Sequence, residues 1–126
     1  MKKNQQKVKK QLRYALDIET NRNFELTNIN VKKIIKFIDT DLVSNIEPLL
    51  FSLHDHVWKL IISQGSLEII DEQIIFNKLL NIYNLIHEFN SIIHISKTKD
   101  DFIDIIKNLE YLTNEIPNIR VMLNYQ

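Results

Sequence analysis

The residues best suited to metal or acid–base chemistry are the four histidines, His54, His56, His87 and His94. His54 and His56 are two apart, about 200° around a helix, so on a helical segment they face opposite sides and cannot grip one ion. His87 and His94 are seven apart and share a face with Ser91 between them. Two imidazoles without a third ligand do not make a metal site. The histidines are therefore expected to flank the core, partly exposed, with no metal and no cofactor. Acidic pairs at Asp71-Glu72 and Asp100-Asp101 could in principle do general acid–base work. Each stands where a helix begins, however, and carboxylates there meet the helix dipole favourably, so capping is the expected role.

Other catalytic constellations fail on composition. An arginine followed at a short gap by a histidine, as some helical ribonucleases use, is not formed by Arg13, Arg22 or Arg120. The chain has no cysteine, which removes thiolate metal sites, iron–sulfur clusters, disulfides and cysteine nucleophiles together. Its single glycine, Gly65, excludes phosphate loops, dinucleotide-binding glycine patterns and serine elbows. No catalytic residue is assigned, and the chain reads as a non-enzyme. Among the aromatics, Trp58 sits in a crowded apolar stretch and is expected in the core. Tyr14, Tyr83, Tyr111 and Tyr125 are candidates for a recognition surface.

The formal net charge of zero hides an asymmetry. Residues 1–13 hold six basic groups and no acid, which leaves ten basic against sixteen acidic groups and a net charge of −6 in the remainder. An acidic body does not suit a nucleic-acid face, because phosphate contacts need clustered Lys and Arg. Lys2, Lys3, Lys7, Lys9 and Lys10 are the candidate partner-binding residues, a basic N-terminal arm over residues 1–10 able to touch an anionic partner or membrane surface.

These groups must be positioned by helices. At 126 residues, 44% hydrophobic and 25% charged, the chain fits one domain that buries roughly two thirds of its unfolded surface. One glycine and two prolines are too few for a sheet protein with several hairpins. Val8, Leu12, Ala15 and Leu16 place an apolar stripe on a first helix from about residue 5 to 26. Thr27-Asn28-Ile29-Asn30 is rich in capping residues ahead of Val31, Ile34, Ile35 and Ile38, which predicts a short second helix or a continuation of the first. A third helix is expected to start between Pro48 and Leu53, with Ser52-Leu53-His54-Asp55 as a capping box, to stop at Gly65, and to sit centrally.

Asp71 can cap a fourth helix carrying Ile75, Leu79, Ile82, Ile86, Phe89 and Ile93. Thr98-Lys99-Asp100-Asp101 opens a last one carrying Phe102, Ile105, Leu109, Leu112, Ile116, Ile119 and Leu123, with a kink or restart at Pro117. The expected fold is thus all-α, a four- to five-helix bundle built on a C-terminal antiparallel helical hairpin. The longest stretch without a charged residue, Leu79 to His87, is nine residues, well short of the roughly 20 that a spanning helix needs. The basic start is followed by no apolar run of the secretory kind, and the expected location is cytoplasmic, with the inner membrane surface as the one membrane contact.

The run Trp58…Ser63-x-Gly65-x-Leu67…Leu79…Tyr83-x-x-Ile86-x-x-x-Asn90, preceded by Asp17-Ile18-Glu19-Thr20-Asn21, resembles a loosely defined group of small helical bacterial and archaeal domains of unknown function. The resemblance covers roughly residues 12 to 95. Members often follow an N-terminal transmembrane helix, and here the basic arm stands where a juxtamembrane segment would. What the resemblance implies is a helical interaction or regulatory module, with no active-site residue to carry over. The expected function is a non-catalytic protein-interaction module, regulatory or inhibitory, with a protein partner and self-association as a further option. Its richness in Ile, Asn and Lys matches an AT-rich coding sequence such as that of a phage or mobile element of a low-GC bacterium. The alternatives are an immunity-type protein that neutralises a toxin or bacteriocin, and a nucleic-acid-associated protein acting through the arm.

Overall fold

The computed structural model describes residues 2–39, 49–65, 70, 72–95 and 98–124, with side chains in the first helix from Gln6 onward. Every regular element among them is helical: α1 (Lys2–Asp39), α2 (His56–Ser63), α3 (Gln73–Ile92) and α4 (Lys99–Asn124). Pro48, Asp71 and Tyr125 lie outside the described residues.

α1 is one helix of 38 residues, about 57 Å long at 1.5 Å per residue. It continues through Thr27-Asn28-Ile29-Asn30, where the capping residues left a second start open. Such side chains break helices by competing for main-chain groups, and here their polar atoms are occupied otherwise. The Thr27 hydroxyl donates to the Asn23 carbonyl at 2.6 Å, and Asn30 bonds to Phe51. The buried seam of α1 runs Leu16, Thr20, Asn23, Thr27, Asn30, Ile34, in alternating steps of four and three, and all six are fully buried. Its middle is polar, which is not how a core stripe ordinarily reads.

α4 runs antiparallel to α1. Arg120 pairs with Asp17 at 2.8 Å near one end, and the Phe37 and Phe102 rings meet edge to face at 5.2 Å near the other. α3 lies along α4, joined by the Lys78–Glu115 pair at 3.8 Å. The predicted seams are buried at Ile75, Leu79, Ile82, Ile86 and Phe89 on α3 and at Phe102, Ile105, Leu109, Leu112, Ile116, Ile119 and Leu123 on α4, whereas Ile93, expected at the end of the α3 seam, is the C-cap residue just past that helix and only half-buried. α1 and α3 pack on α4 rather than closely on each other, and residues 49–63 fill the wedge between them.

Three local expectations are corrected. α2 starts at His56, after a non-helical stretch over residues 49–55, and Asp55 makes no side-chain cap bond. The capping-box sequence fails there because the main chain of those residues is held by other side chains. Only Trp58 and Ile61 of α2 are buried, with Leu60 and Ile62 exposed, so α2 covers the wedge rather than occupying the centre. α4 also passes through Pro117 without restarting. Ile116 and Ile119 beside it are fully buried, and that packing outweighs one lost helical bond. Of the apolar stripes expected on α1, Leu16 and Ile34 are buried but Val8 and Ile35 are exposed, because the buried seam follows Thr20, Asn23, Thr27 and Asn30 instead. Two other local signals hold. Gly65 takes a left-handed φ of 89° directly after α2, and Thr98 and Asp101 exchange reciprocal capping bonds at 3.1 and 3.2 Å.

Ile86 has no solvent exposure at the α3 seam, so Ile86→Ala is expected to lower unfolding free energy by about 2–5 kcal/mol in a urea titration.

Candidate functional site

The most distinctive geometry in the molecule is the grip on residues 49–55. A non-helical segment wedged between helices must find partners for its main-chain groups outside any ladder. Asn30 of α1 takes both groups of Phe51, its Oδ1 accepting from the Phe51 N–H at 2.9 Å and its Nδ2 donating to the Phe51 carbonyl at 2.9 Å. Asn23, two turns earlier, does the same for His54 at 2.7 and 2.8 Å. From α3, Asn90 does so for Leu53 at 2.8 and 2.9 Å. Lys33 adds a bond from Nζ to the Leu49 carbonyl at 2.8 Å and lies 4.2 Å above the Phe51 ring.

The spacing sets the conformation. Seven residues of helix from Asn23 to Asn30 rise about 10.5 Å. Three residues from Phe51 to His54 reach about 10–11 Å only when nearly straight. The segment is therefore drawn out along α1, antiparallel to it. Of its side chains Leu53 is buried, while Leu49, Phe51, Ser52 and His54 are exposed.

The same register continues into α2. Glu19, one turn before Asn23, accepts from the Val57 N–H at 2.8 Å and the Trp58 N–H at 3.3 Å, serving the open first-turn donors of α2 from another helix. Its Oε1 also accepts from the Tyr83 hydroxyl at 2.7 Å. The indole of Trp58 stacks on the Tyr83 ring at 4.8 Å, nearly parallel at 4°. Burial first, then the neighbouring Glu19 charge and hydrogen bond, hold the Tyr83 phenol well above its ordinary range. Asp55 receives His87 Nε2 at 2.8 Å and Lys59 Nζ at 3.3 Å. Chemically, Glu19 and Tyr83 are both buried, and their polar atoms are engaged with each other and with main chain. This is a holding arrangement rather than one that meets substrate.

The residues singled out from sequence fall as follows. His54 precedes α2 rather than lying on it, so it and His56 do not take opposite faces, and their rings stand 6.4 Å apart. All four histidines are exposed, and among the described residues no group of three His, Cys, Asp or Glu side chains converges as for a metal. Glu72 stands at the N-cap position of α3 but its side chain makes no cap bond, so the expected capping role is not seen there, while Asp100 and Asp101 lie in the first turn of α4. Trp58 is buried, Tyr83 is buried, and Tyr14 and Tyr111 are exposed. Lys7 and Lys10 are exposed and Lys9 half-buried on the first turns of α1, a helix that already includes Lys2 and Lys3. The basic arm is therefore the start of α1 itself.

The clamp residues Asn23, Asn30 and Asn90 carry no assignment in the sequence reading. Glu19 and Asn90 occur among the residues that carry the resemblance, without a role; Trp58 lies in the core as expected, and Tyr83, a candidate for a recognition surface, is instead buried against Trp58 with its hydroxyl on Glu19. The available signal was the spacing Leu16, Thr20, Asn23, Thr27, Asn30, Ile34, a seam written with polar letters. Comparison with protein-family models, curated proteins and solved structures finds no match to this chain.

Two outcomes are expected. Asn23→Ala strands the His54 N–H and carbonyl and should cost about 2 kcal/mol by chemical denaturation, whereas Asn81→Ala on the exposed face of α3 should stay within about 0.5 kcal/mol. Tyrosines of the unfolded chain ionise near pH 10 while Tyr83 in the fold does not, so its contribution is complete below about pH 10 and is lost as pH rises further. Unfolding free energies measured from pH 8 to 11.5 should fall less steeply at the alkaline end for Tyr83→Phe than for the parent chain.

Proposed function

We propose that this chain is a non-catalytic protein-interaction module, regulatory or inhibitory, that presents the basic start of α1 to an acidic protein surface. The observation that carries this reading is the position of that start. Asn124, the last described residue of α4, reaches Asp17 with its side chain at 3.5 Å, so the first turns of α1 extend beyond the described part of α4. On the overhang Gln6, Lys7, Val8, Lys10 and Gln11 are all exposed. Six basic groups without an acid occupy residues 1–13 of a chain that is otherwise net −6. Their field is concentrated at one end of the long helix, where it steers an anionic partner into register. In this reading α3 and α4 form the antiparallel hairpin that frames the bundle, and the protein works in the cytoplasm of a low-GC bacterium or its phage. That role agrees with the resemblance to small helical domains of unknown function.

A second reading, an immunity-type protein that neutralises a toxin, is favoured by the net −6 charge of the rest of the chain, which suits a basic toxin. The two readings place the partner on surfaces of opposite charge.

Affinity capture from the native host, followed by mass spectrometry, tests both. The expected result is an acidic protein captured by the parent chain, lost with Lys7→Glu/Lys10→Glu at unchanged melting temperature, and weakened as salt rises from about 50 to 300 mM. A basic partner whose capture survives the double reversal supports the toxin-neutralising reading instead. Retention on nucleic acid or anionic liposomes, abolished by the same reversal with no protein captured, overturns the protein-partner reading.

A further inference from the structure

We propose that the outward face of α1 pairs antiparallel with the same face of a second copy, making this protein a reversible, two-fold symmetric dimer. A stripe in alternating steps of three and four runs along α1 from Val8 to Asp39, on the side away from the buried seam, and all its members are exposed except half-buried Ala15. That alternation is the spacing by which one helix lies along another. The middle of the stripe reads Ile18, Arg22, Glu25, Ile29, with the isoleucines 52% and 39% exposed. Arg22 and Glu25 pair along the helix at 3.3 Å, and both side chains are more than half exposed. Tyr14 and Ile35, the other exposed large hydrophobics of α1 besides Val8, stand on one flank, each just before a stripe residue.

The occupant follows from the residue types. Any stripe of this spacing can be laid antiparallel on a copy of itself, but only a suitable order of side chains makes the match complementary. With the two-fold axis midway between Arg22 and Glu25, Arg22 of each copy meets Glu25 of the other, and Ile18 of each meets Ile29 of the other. Two ion-paired layers are thus bracketed by two aliphatic layers. Further out, Lys32 and Lys36 come opposite the uncharged Ala15 and Gln11, and Asp39 comes opposite Val8, next to Lys7. No two like charges of the stripe face each other, although α1 as a whole is basic. A parallel pairing would set Arg22 on Arg22 and Glu25 on Glu25, which disfavours it. The contact is a single helix pair, smaller than the interface of an obligate dimer, so association depends on concentration. It goes beyond the reading of the basic start as a docking site and does not rest on it. In the pair the two starts lie at opposite ends, with their Lys7 residues about 50 Å apart along the axis.

The test is sedimentation equilibrium on the full chain over a range of concentrations, with charge reversal across the proposed axis. The parent chain should show a monomer–dimer equilibrium. Arg22→Glu alone and Glu25→Arg alone each set like charges against one another twice in the symmetric pair, and each should weaken dimerisation by at least about tenfold. Arg22→Glu/Glu25→Arg together should return it to within about threefold of the parent, because the pairs re-form with their signs exchanged. All three variants should melt close to the parent, since both side chains are exposed. Register is read by cross-linking, which the absence of any natural cysteine leaves free of background. Ile18→Cys/Ile29→Cys should give a covalent dimer with a short bismaleimide, whereas Ile18→Cys alone should not, its two copies lying about 16 Å apart along the pair. A single monomeric species up to about 1 mM overturns the proposal, as does a dimer indifferent to the single reversals or one that Ile18→Cys alone cross-links.

Discussion

A polypeptide segment that is neither helix nor strand can lie between two helices only if something replaces the hydrogen bonds that regular structure would have given it. In this protein the replacement is a set of three carboxamides. A carboxamide carries a donor and an acceptor side by side, as a peptide group does, so one asparagine can satisfy the N–H and the C=O of the same residue. A carboxylate can only accept, and a hydroxyl is too small to span both groups. The net gain from each bond over water is modest, but leaving such groups unmet in a closed wedge is expensive, and that asymmetry makes the arrangement all or nothing. The separation of α1 from α3, the seating of Leu53 and the placement of α2 all follow from it.

Glu19 extends the same logic by one turn. Its carboxylate meets the first N–H groups of α2, where the helix dipole is positive, and the Tyr83 phenol closes the remaining side. One residue of α1 therefore fixes where α2 begins and which rotamer Tyr83 holds, and Tyr83 in turn offers its face to Trp58. Three elements far apart in sequence meet at one side chain. Asp55, with His87 and Lys59, adds a charged clasp on the outer side of the same junction.

The apolar half of this structure is legible in the sequence. The seams of α3 and α4 obey a simple alternation, and every seam residue from Ile75 to Phe89 and from Phe102 to Leu123 is where that alternation puts it. Gly65 and the Thr98–Asp101 pair are legible too, because only glycine escapes the Cβ penalty and only a short side chain can cap. The polar half is not. Thr20, Asn23, Thr27 and Asn30 read as surface or as a helix break, since burial of such residues is favourable only with partners in place. Those partners are the main chain of residues 51–54, which no local pattern connects to α1. For the same reason Ser52-Leu53-His54-Asp55 reads as a helix start: its local chemistry is right, and a distant pair of asparagines holds it out of the helix.

The pairing of α1 with α4 has a consequence for the way the molecule is made. α1 is synthesised first among the helices, and the helix that covers it is the last of the four. Its seam must wait through the synthesis of α2 and α3 before it is buried, at translation rates of about 5–20 residues per second. A nascent helix with a wholly aliphatic stripe would spend those seconds as a sticky surface for other chains. Because Thr20, Asn23, Thr27 and Asn30 interrupt this stripe, the waiting helix stays more wettable, with Leu26 the one buried hydrophobic residue between Leu16 and Ile34 until α4 arrives.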